Sequence, residues 1–225
     1  GLAKNIIDGV TKVVNEYGTI IVLEDDLVTS PYFLTYMNKA LEMYQHEEKV
    51  ASISGYVYPL PHPEKLPETF FIRGADCWGW ATWKRAWQYF EPDGKKLLAL
   101  LNKRKECRLF DFNGSYPYTR MLKDQIKGKN NSWAIRWYAS TFLNNMLTLY
   151  PRKSLVRNIG LDDSGTHCST IDVFDGEVFH EIVIEKIPVV ENKDARLQFE
   201  IYLKNVSGIS IKRIWSFIKK KWRSK

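Results

Sequence analysis

Leu2, Ile6, Val10, Val13 and Tyr17 recur at helical spacing, and Gly18 follows as a stop. The run Thr19-Ile20-Ile21-Val22-Leu23 is continuously apolar and largely β-branched. It predicts a strand buried on both faces, as in a parallel sheet. A helix feeding such a strand is half of a βαβ unit, so further strands N-terminal to Gly1 are expected in the same sheet. Ser30-Pro31 suits a helix start, and Phe33, Met37, Leu41 and Tyr44 form one face of the helix that follows. Val50 to Ser54 reads as a strand ended by Gly55, and four prolines make 59–68 a loop before a short strand over Thr69 to Ile72. Helices are predicted over Trp80 to Phe90, Lys95 to Lys105, Tyr118 to Lys127 and Ser132 to Met146. Residues 147–158 carry short strand signals around Pro151, and 177–203 are ambiguous. The pattern predicts an α/β fold with a mixed, mostly parallel, Rossmann-like sheet flanked by helices.

Three segments could carry chemistry. Glu24-Asp25-Asp26 directly follows the first strand. Three adjacent carboxylates repel one another unless a cation neutralises them. Ligands of α/β sheets bind at the carboxyl ends of strands. Hard cations such as Mg2+ or Mn2+ take oxygen ligands and often bridge to phosphates. A solvated acidic turn is the plain alternative. The second segment is Arg73 to Trp83, where Gly74 and Gly79 allow close backbone approach and Trp78 and Trp80 could offer rings to a sugar. For Trp83 and Trp87 a core role is the better reading. The third is the loop from Asn158 to Cys168, where His167 could reach a metal and Asp162 and Asp163 read as turn formers.

These pieces occur in one order that resembles glycosyltransferases of the GT-A fold, most closely the N-acetylglucosaminyltransferase I type. That family has a Gly-Leu-Ala helix, an apolar strand, a Glu-Asp-Asp-Leu triplet and a Pro-x-Phe-Phe helix. Here these stand as Gly1-Leu2-Ala3, Ile20 to Leu23, Glu24-Asp25-Asp26-Leu27 and Pro31-Tyr32-Phe33-Leu34. Its Phe-Phe-Pro-Gly-x-Gly-Trp loop and Leu-Trp helix are matched by Phe70-Phe71-Ile72-Arg73-Gly74, Trp78-Gly79-Trp80 and Ala86-Trp87. Its closing Gly-x-x-x-x-Ser-His loop resembles Gly160 through Thr166-His167. The chain is similar also to bacterial sugar transferases of capsule and lipopolysaccharide synthesis. The likeness runs from Gly1 to about Cys168.

The resemblance implies a metal-dependent, inverting transfer of a sugar from a nucleotide-sugar, with UDP the expected nucleotide, to a hydroxyl of a glycan or lipid-linked acceptor. It implies Mn2+ or Mg2+ as cofactor, with Asp26 and His167 at the metal. Glu24, Asp25, Trp78, Gly79 and Trp80 would contact the donor. The family's base sits in a Trp-Asp-Asp-Trp segment, but the matching stretch Ser132-Trp133-Ala134-Ile135-Arg136-Trp137 has Ala134 and Ile135 at those carboxylate positions. Either the base comes from elsewhere, with Asp124 taken as the substitute and Asp76 the other available carboxylate, or the chain is an inactive sugar-nucleotide or membrane-binding module; a nucleotidyltransferase using the same carboxylate-metal logic is the further alternative. The family's uridine-binding strands precede the triplet, so this chain is expected to bind donor poorly alone.

Charge adds one feature. The net charge is +7, with 33 basic and 26 acidic residues. Seven of the basic residues lie in 211–225, leaving a balanced body, so no nucleic-acid partner is expected. Ile211, Ile214, Trp215, Ile218 and Trp222 share one helical face amid those bases, which predicts an amphipathic anchor on an anionic membrane surface. Three scattered cysteines and no CxxC pair argue for reduced thiols, and no apolar run is long enough to cross a bilayer. Asn-x-Ser sequons at Asn113, Asn130 and Asn205 matter only in a secretory lumen. The expected location is cytoplasmic, peripheral at the inner face of the membrane. The expected organisation is a catalytic part over 1–168, an extension or lid over 169–210, and the tail over 211–225.

Overall fold

The computed structural model describes residues 1–159 and 181–207. In chain order the elements are α1 (Leu2–Tyr17), β1 (Thr19–Val22), β2 (Leu27–Thr29), α2 (Phe33–Met43), β3 (Val50–Ser54), a 3-10 turn (Pro63–Lys65), β4 (Thr69–Ile72) and β5 (Trp80–Trp83). Then come α3 (Lys84–Trp87), α4 (Gly94–Arg104), α5 (Cys107–Phe110), α6 (Tyr118–Ile126), α7 (Trp133–Leu143), β6 (Leu147–Pro151) and β7 (Val156–Asn158). Residues 193–207, here α8, are helical.

The local signals act as expected at several helix ends. Gly18 closes α1 in the left-handed region, at φ 81°, and its N–H reaches back to the Val14 carbonyl. The Ser132 hydroxyl accepts from the Ile135 N–H and starts α7, and Asp93 caps α4 through the Lys95 N–H. Helix α2 begins later than the Ser30-Pro31 pair predicts. Ser30 Oγ instead accepts from the Tyr32 N–H, and the helix opens at Phe33.

The main sheet has the order β1-β5-β3-β6-β4, and β2 with β7 makes a separate ribbon. Helices flank the sheet, so the α/β class holds. The expectation of a mostly parallel sheet does not. Among the described residues only β3 and β6 pair in parallel, whereas β1·β5, β3·β5 and β4·β6 are antiparallel. The reason is β5. Trp80 to Trp83, predicted as the first turn of a helix, form a buried strand inserted between β1 and β3. Strands β1, β3 and β6 still run the same way, with β5 and β4 opposed to them. Nor is β1 buried on both faces; it lies at one end of the described sheet with three half-buried residues.

Both faces of the sheet are covered. Phe71 packs with Phe33, Met37 and Tyr44 of the α2 region. Its neighbours Phe70 and Ile72 enter another cluster with Leu97 and Leu101 of α4, Phe142 of α7 and Phe199 of α8. A third cluster joins Val10 and Val14 of α1 to Trp80, Trp87, Trp133 and Trp137. Part of the stretch expected as an extension or lid is thus built into the core. Its Glu191 bridges to Phe71, and the Asn192 N–H donates to the Phe71 carbonyl at 2.8 Å.

Candidate active site

Strand register assembles the site. The antiparallel pair β1·β5 sets Val22 opposite Trp80, so the segment leaving β1 emerges beside the segment entering β5. Residues 23–26 and 76–79 are therefore neighbours, although about fifty positions separate them. Strand β3 also ends there, with Ser54 opposite Trp80 and the Gly55 N–H donating to the Gly79 carbonyl at 2.7 Å. The triplet thus lies where β1 and β3 present their carboxyl ends, the usual ligand side of such sheets.

Glu24 to Leu27 make a turn closed by the Leu27 N–H on the Glu24 carbonyl at 3.2 Å. The ribbon then fixes Asp26. Leu27 pairs with Asn158, the Ile159 N–H donates to the Asp26 carbonyl at 2.9 Å, and Asn158 Nδ2 donates to Asp26 Oδ2 at 3.1 Å. The other carboxylate oxygen, Asp26 Oδ1, is buried with no hydrogen-bond partner among the described residues. A buried carboxylate oxygen without a partner is costly, so a donor or cation at that oxygen would be stabilising. Asp25 is exposed and Glu24 half-buried. Burial raises the Glu24 carboxyl above the usual carboxylate range, and the charges of Asp26, Asp25 and Asp76 add to this. The repulsion inferred from three adjacent acids is therefore present, with a fourth acid joining it.

Among the described residues no three His, Cys, Asp or Glu side chains gather as a ready metal cage. Mg2+ and similar ions are commonly held by one or two carboxylates, the rest of the shell coming from water and substrate phosphates. The open oxygen of Asp26 among neighbouring acids fits that kind of site. His167 and the loop around it lie outside the described residues, as does the tail.

Asp76 is half-buried, and its Oδ1 accepts from the Trp78 N–H at 3.1 Å. Burial pushes its carboxyl up to about 6, against hydrogen bonds from the Trp78 and Cys77 backbones and from Tyr58. Burial also holds the Cys77 thiol well above its ordinary value, and the charges of Asp76, Glu24 and Asp26 act in the same direction. Asp76 and Cys77 therefore link the triplet to a cleft of about 220 Å³ that also draws on Tyr58, Tyr118, Ala134 and Tyr138.

The tryptophans separate into two roles. Trp80 cannot serve as a donor contact in this arrangement. It is fully buried, stacks on Trp133 at 5.3 Å and tilts against Trp87 and Trp137. Trp83 and Trp87 are core, as their spacing suggested. Trp78 is half-buried beside the site and meets Tyr56 edge-on at 4.7 Å. Gly79 has φ +62°, and a Cβ there would fall 2.8 Å from Val156 Cγ1 and 3.4 Å from Leu23 Cδ2. It is needed for the close crossing of the two site loops.

Asp124, the expected base, lies on α6 with its carboxylate 3.9 Å from both Arg120 and Lys129, and it does not line the cleft. Ala134 and Ile135, at the carboxylate positions the resemblance points to, do line it. Two residues carry weight here that sequence reasoning left without a role. Asn158 had only its place beside the Gly160 loop to mark it, and Tyr58 had no local signal at all.

Compared with known protein families and with curated proteins, the chain matches none.

Proposed function

We propose that this chain is the catalytic part of a GT-A-type glycosyltransferase that moves a sugar from a nucleotide-sugar to a hydroxyl of a glycan or lipid-linked acceptor. The observation that carries the reading is the buried Oδ1 of Asp26, unpartnered among the described residues, on a carboxylate oriented by Asn158 within a crowd of acids at the end of β1. Asp26 would hold Mn2+ or Mg2+, which when bound neutralises the charge of a departing nucleoside diphosphate. Asn158 keeps the Asp26 carboxylate in one orientation. Glu24 and Asp25 offer acceptors to hydroxyls of the donor, and Gly79 lets its loop lie close under them. Trp78, already held against Tyr56, presents a ring edge where the two loops meet. The basic tail would hold the enzyme on anionic lipid, near lipid-linked acceptors. Among the described residues no helix is long and apolar enough to cross a membrane.

The test is donor hydrolysis by the full-length protein, with UDP-, GDP- and CMP-sugars and either Mn2+ or Mg2+. Metal-dependent release of a nucleoside diphosphate (CMP in the case of a CMP-sugar), lost in Asp26→Asn, is expected. Release of inorganic diphosphate from a nucleoside triphosphate supplied with a sugar 1-phosphate would instead identify a nucleotidyltransferase. No release from any donor by folded protein supplied with acceptor lipids would leave an inactive binding module.

A further inference from the structure

The cleft beside the triplet has a composition that the donor site does not use. Its walls include three tyrosines from separate parts of the chain: Tyr58 after β3, Tyr118 at the start of α6 and Tyr138 in α7. Ala134 and Ile135 add apolar surface, and Asp76 is the one carboxylate among the described residues that line it. Aromatic side chains beside a fixed acid suit a pyranose ring, which can pack its C–H groups on an aromatic wall while a hydroxyl meets the acid. At about 220 Å³ the cleft is smaller than the ~300–1,000 Å³ of drug-sized pockets and has room for a single ring. Asp76 stands between this cleft and the triplet, close enough that its charge acts on Glu24.

Resting on the glycosyltransferase reading, we propose that the cleft is the acceptor-sugar subsite and that Asp76 is the residue that takes the proton from the attacking hydroxyl. In the step, the acceptor hydroxyl oxygen forms a bond to the anomeric carbon of the donor. The bond from that carbon to the diphosphate oxygen breaks, and its electron pair leaves with the nucleoside diphosphate. The hydroxyl proton passes to Asp76 and then to solvent. The Trp78 N–H, bonded to Asp76 Oδ1, holds the carboxylate at the cleft wall together with the Cys77 backbone and Tyr58, which also donate to it. Asp76 supplies from the loop before β5 the carboxylate that the start of α7 lacks, across a cleft that both segments line.

The experiment separates two activities of the full-length protein: donor hydrolysis without acceptor, and transfer to acceptor. In Asp76→Asn, transfer is expected to fall by ~10²–10⁴-fold, the usual contribution of a general base, and the rise of the transfer rate with pH that reports this carboxyl to disappear. Tyr118→Phe, which keeps the ring, and Tyr118→Ala, which removes it, test the subsite. Only the second is expected to raise the acceptor KM, with the donor KM unchanged. Transfer retained in Asp76→Asn, or retained there and lost in Asp124→Asn, would overturn the assignment. A parent protein that releases no nucleoside diphosphate under any condition sinks the glycosyltransferase reading itself, a result distinct from a selective failure of the Asp76 variant.

Discussion

Asn158 Nδ2 lies 3.1 Å from Asp26 Oδ2, and this hydrogen bond ties the last residue of β7 to the last acid of the triplet. The two residues are 132 positions apart, and the antiparallel ribbon β2·β7 brings them together by pairing Leu27 with Asn158. A side chain that orients a metal-binding carboxylate typically accounts for 10–100-fold in affinity or activity. Asn158→Ala is therefore expected to weaken the apparent metal affinity of donor hydrolysis by that factor. The backbone pairing is untouched, so the thermal midpoint should change little, since a single hydrogen bond contributes only about 1 kcal/mol. A metal titration of hydrolysis in both proteins checks this. An unchanged metal dependence would mean that Asp26 is not the metal ligand or needs no such support.

Trp78 and Trp80 flank one glycine and should respond differently to truncation. Trp80 sits among Trp87, Trp133 and Trp137 at the junction of α1, β5 and α7. Trp80→Ala is expected to destabilise the fold by about 3–5 kcal/mol, the range for emptying a large aromatic site. Trp78→Ala removes a half-buried ring in edge contact with Tyr56. It should destabilise far less and act chiefly on the donor KM. Denaturant melts of both variants, with hydrolysis kinetics on Trp78→Ala, decide the matter. Equal losses of stability would show that both rings are core.

Much of this architecture is legible in the chain because its signals are local. Gly18 and Ser132 mark helix ends by their own conformation and hydrogen bonding, and Val50 to Ser54 and Thr69 to Ile72 are read as strands over the ranges observed. Trp80 to Trp83 are not legible in this way. Trp80, Trp83 and Trp87 fall at helical spacing, and a strand buried on both faces shows no alternation to contradict it. Its pairing with β1 and β3 decides its conformation, and that is a long-range fact. The error carried into the sheet, because without β5 the neighbours β1 and β3 read as a parallel pair. The site divides along the same line. The acidic triplet is conspicuous in sequence, but the approach of Asp76 to Glu24 and of Asn158 to Asp26 depends on register. Asp124 offered a carboxylate at a plausible place in the sequence, and the fold occupies it with Arg120 and Lys129.

Gly79 should tolerate no side chain. Its φ of +62° is unfavourable for any L-residue, and an added Cβ would also meet Val156 at 2.8 Å and Phe33 at 3.2 Å. Gly79→Ala is expected to lose about 1–3 kcal/mol, the range for one strained backbone position. Because the crossing of the two site loops must shift to admit the methyl group, donor hydrolysis should fall as well. The check is a denaturant midpoint together with hydrolysis below that midpoint. A variant of parental stability would show that the loop adopts another conformation in solution.

Asp76 should also make the stability of the fold depend on pH. Its carboxyl is pushed from 3.8 up to about 6 by burial. Tyr58, Tyr118 and Tyr150 face it, and Glu24 stands beyond as a second acid. Between pH 4 and 6 the folded chain holds a proton that the unfolded chain has released. Stability from this group is therefore fully present below about pH 4 and is lost as pH rises through about 6. One pKa unit corresponds to about 1.4 kcal/mol, and the half-exposed position reduces the effect, so a loss on the order of 1–2 kcal/mol is expected. Asn at this position keeps an oxygen for the Trp78 N–H and removes the charge. It also relieves Glu24, whose carboxyl is raised partly by Asp76. Asp76→Asn should thus be more stable than the parent at pH 7 and equal to it near pH 4, in denaturant melts at the two pH values. A pH-independent difference would mean that the carboxylate is well solvated in the folded state, and with it the strained, proton-accepting character assigned to Asp76 would go. A variant that is both more stable and unable to transfer sugar is the outcome expected of a site that keeps an unfavourable buried charge for its chemistry.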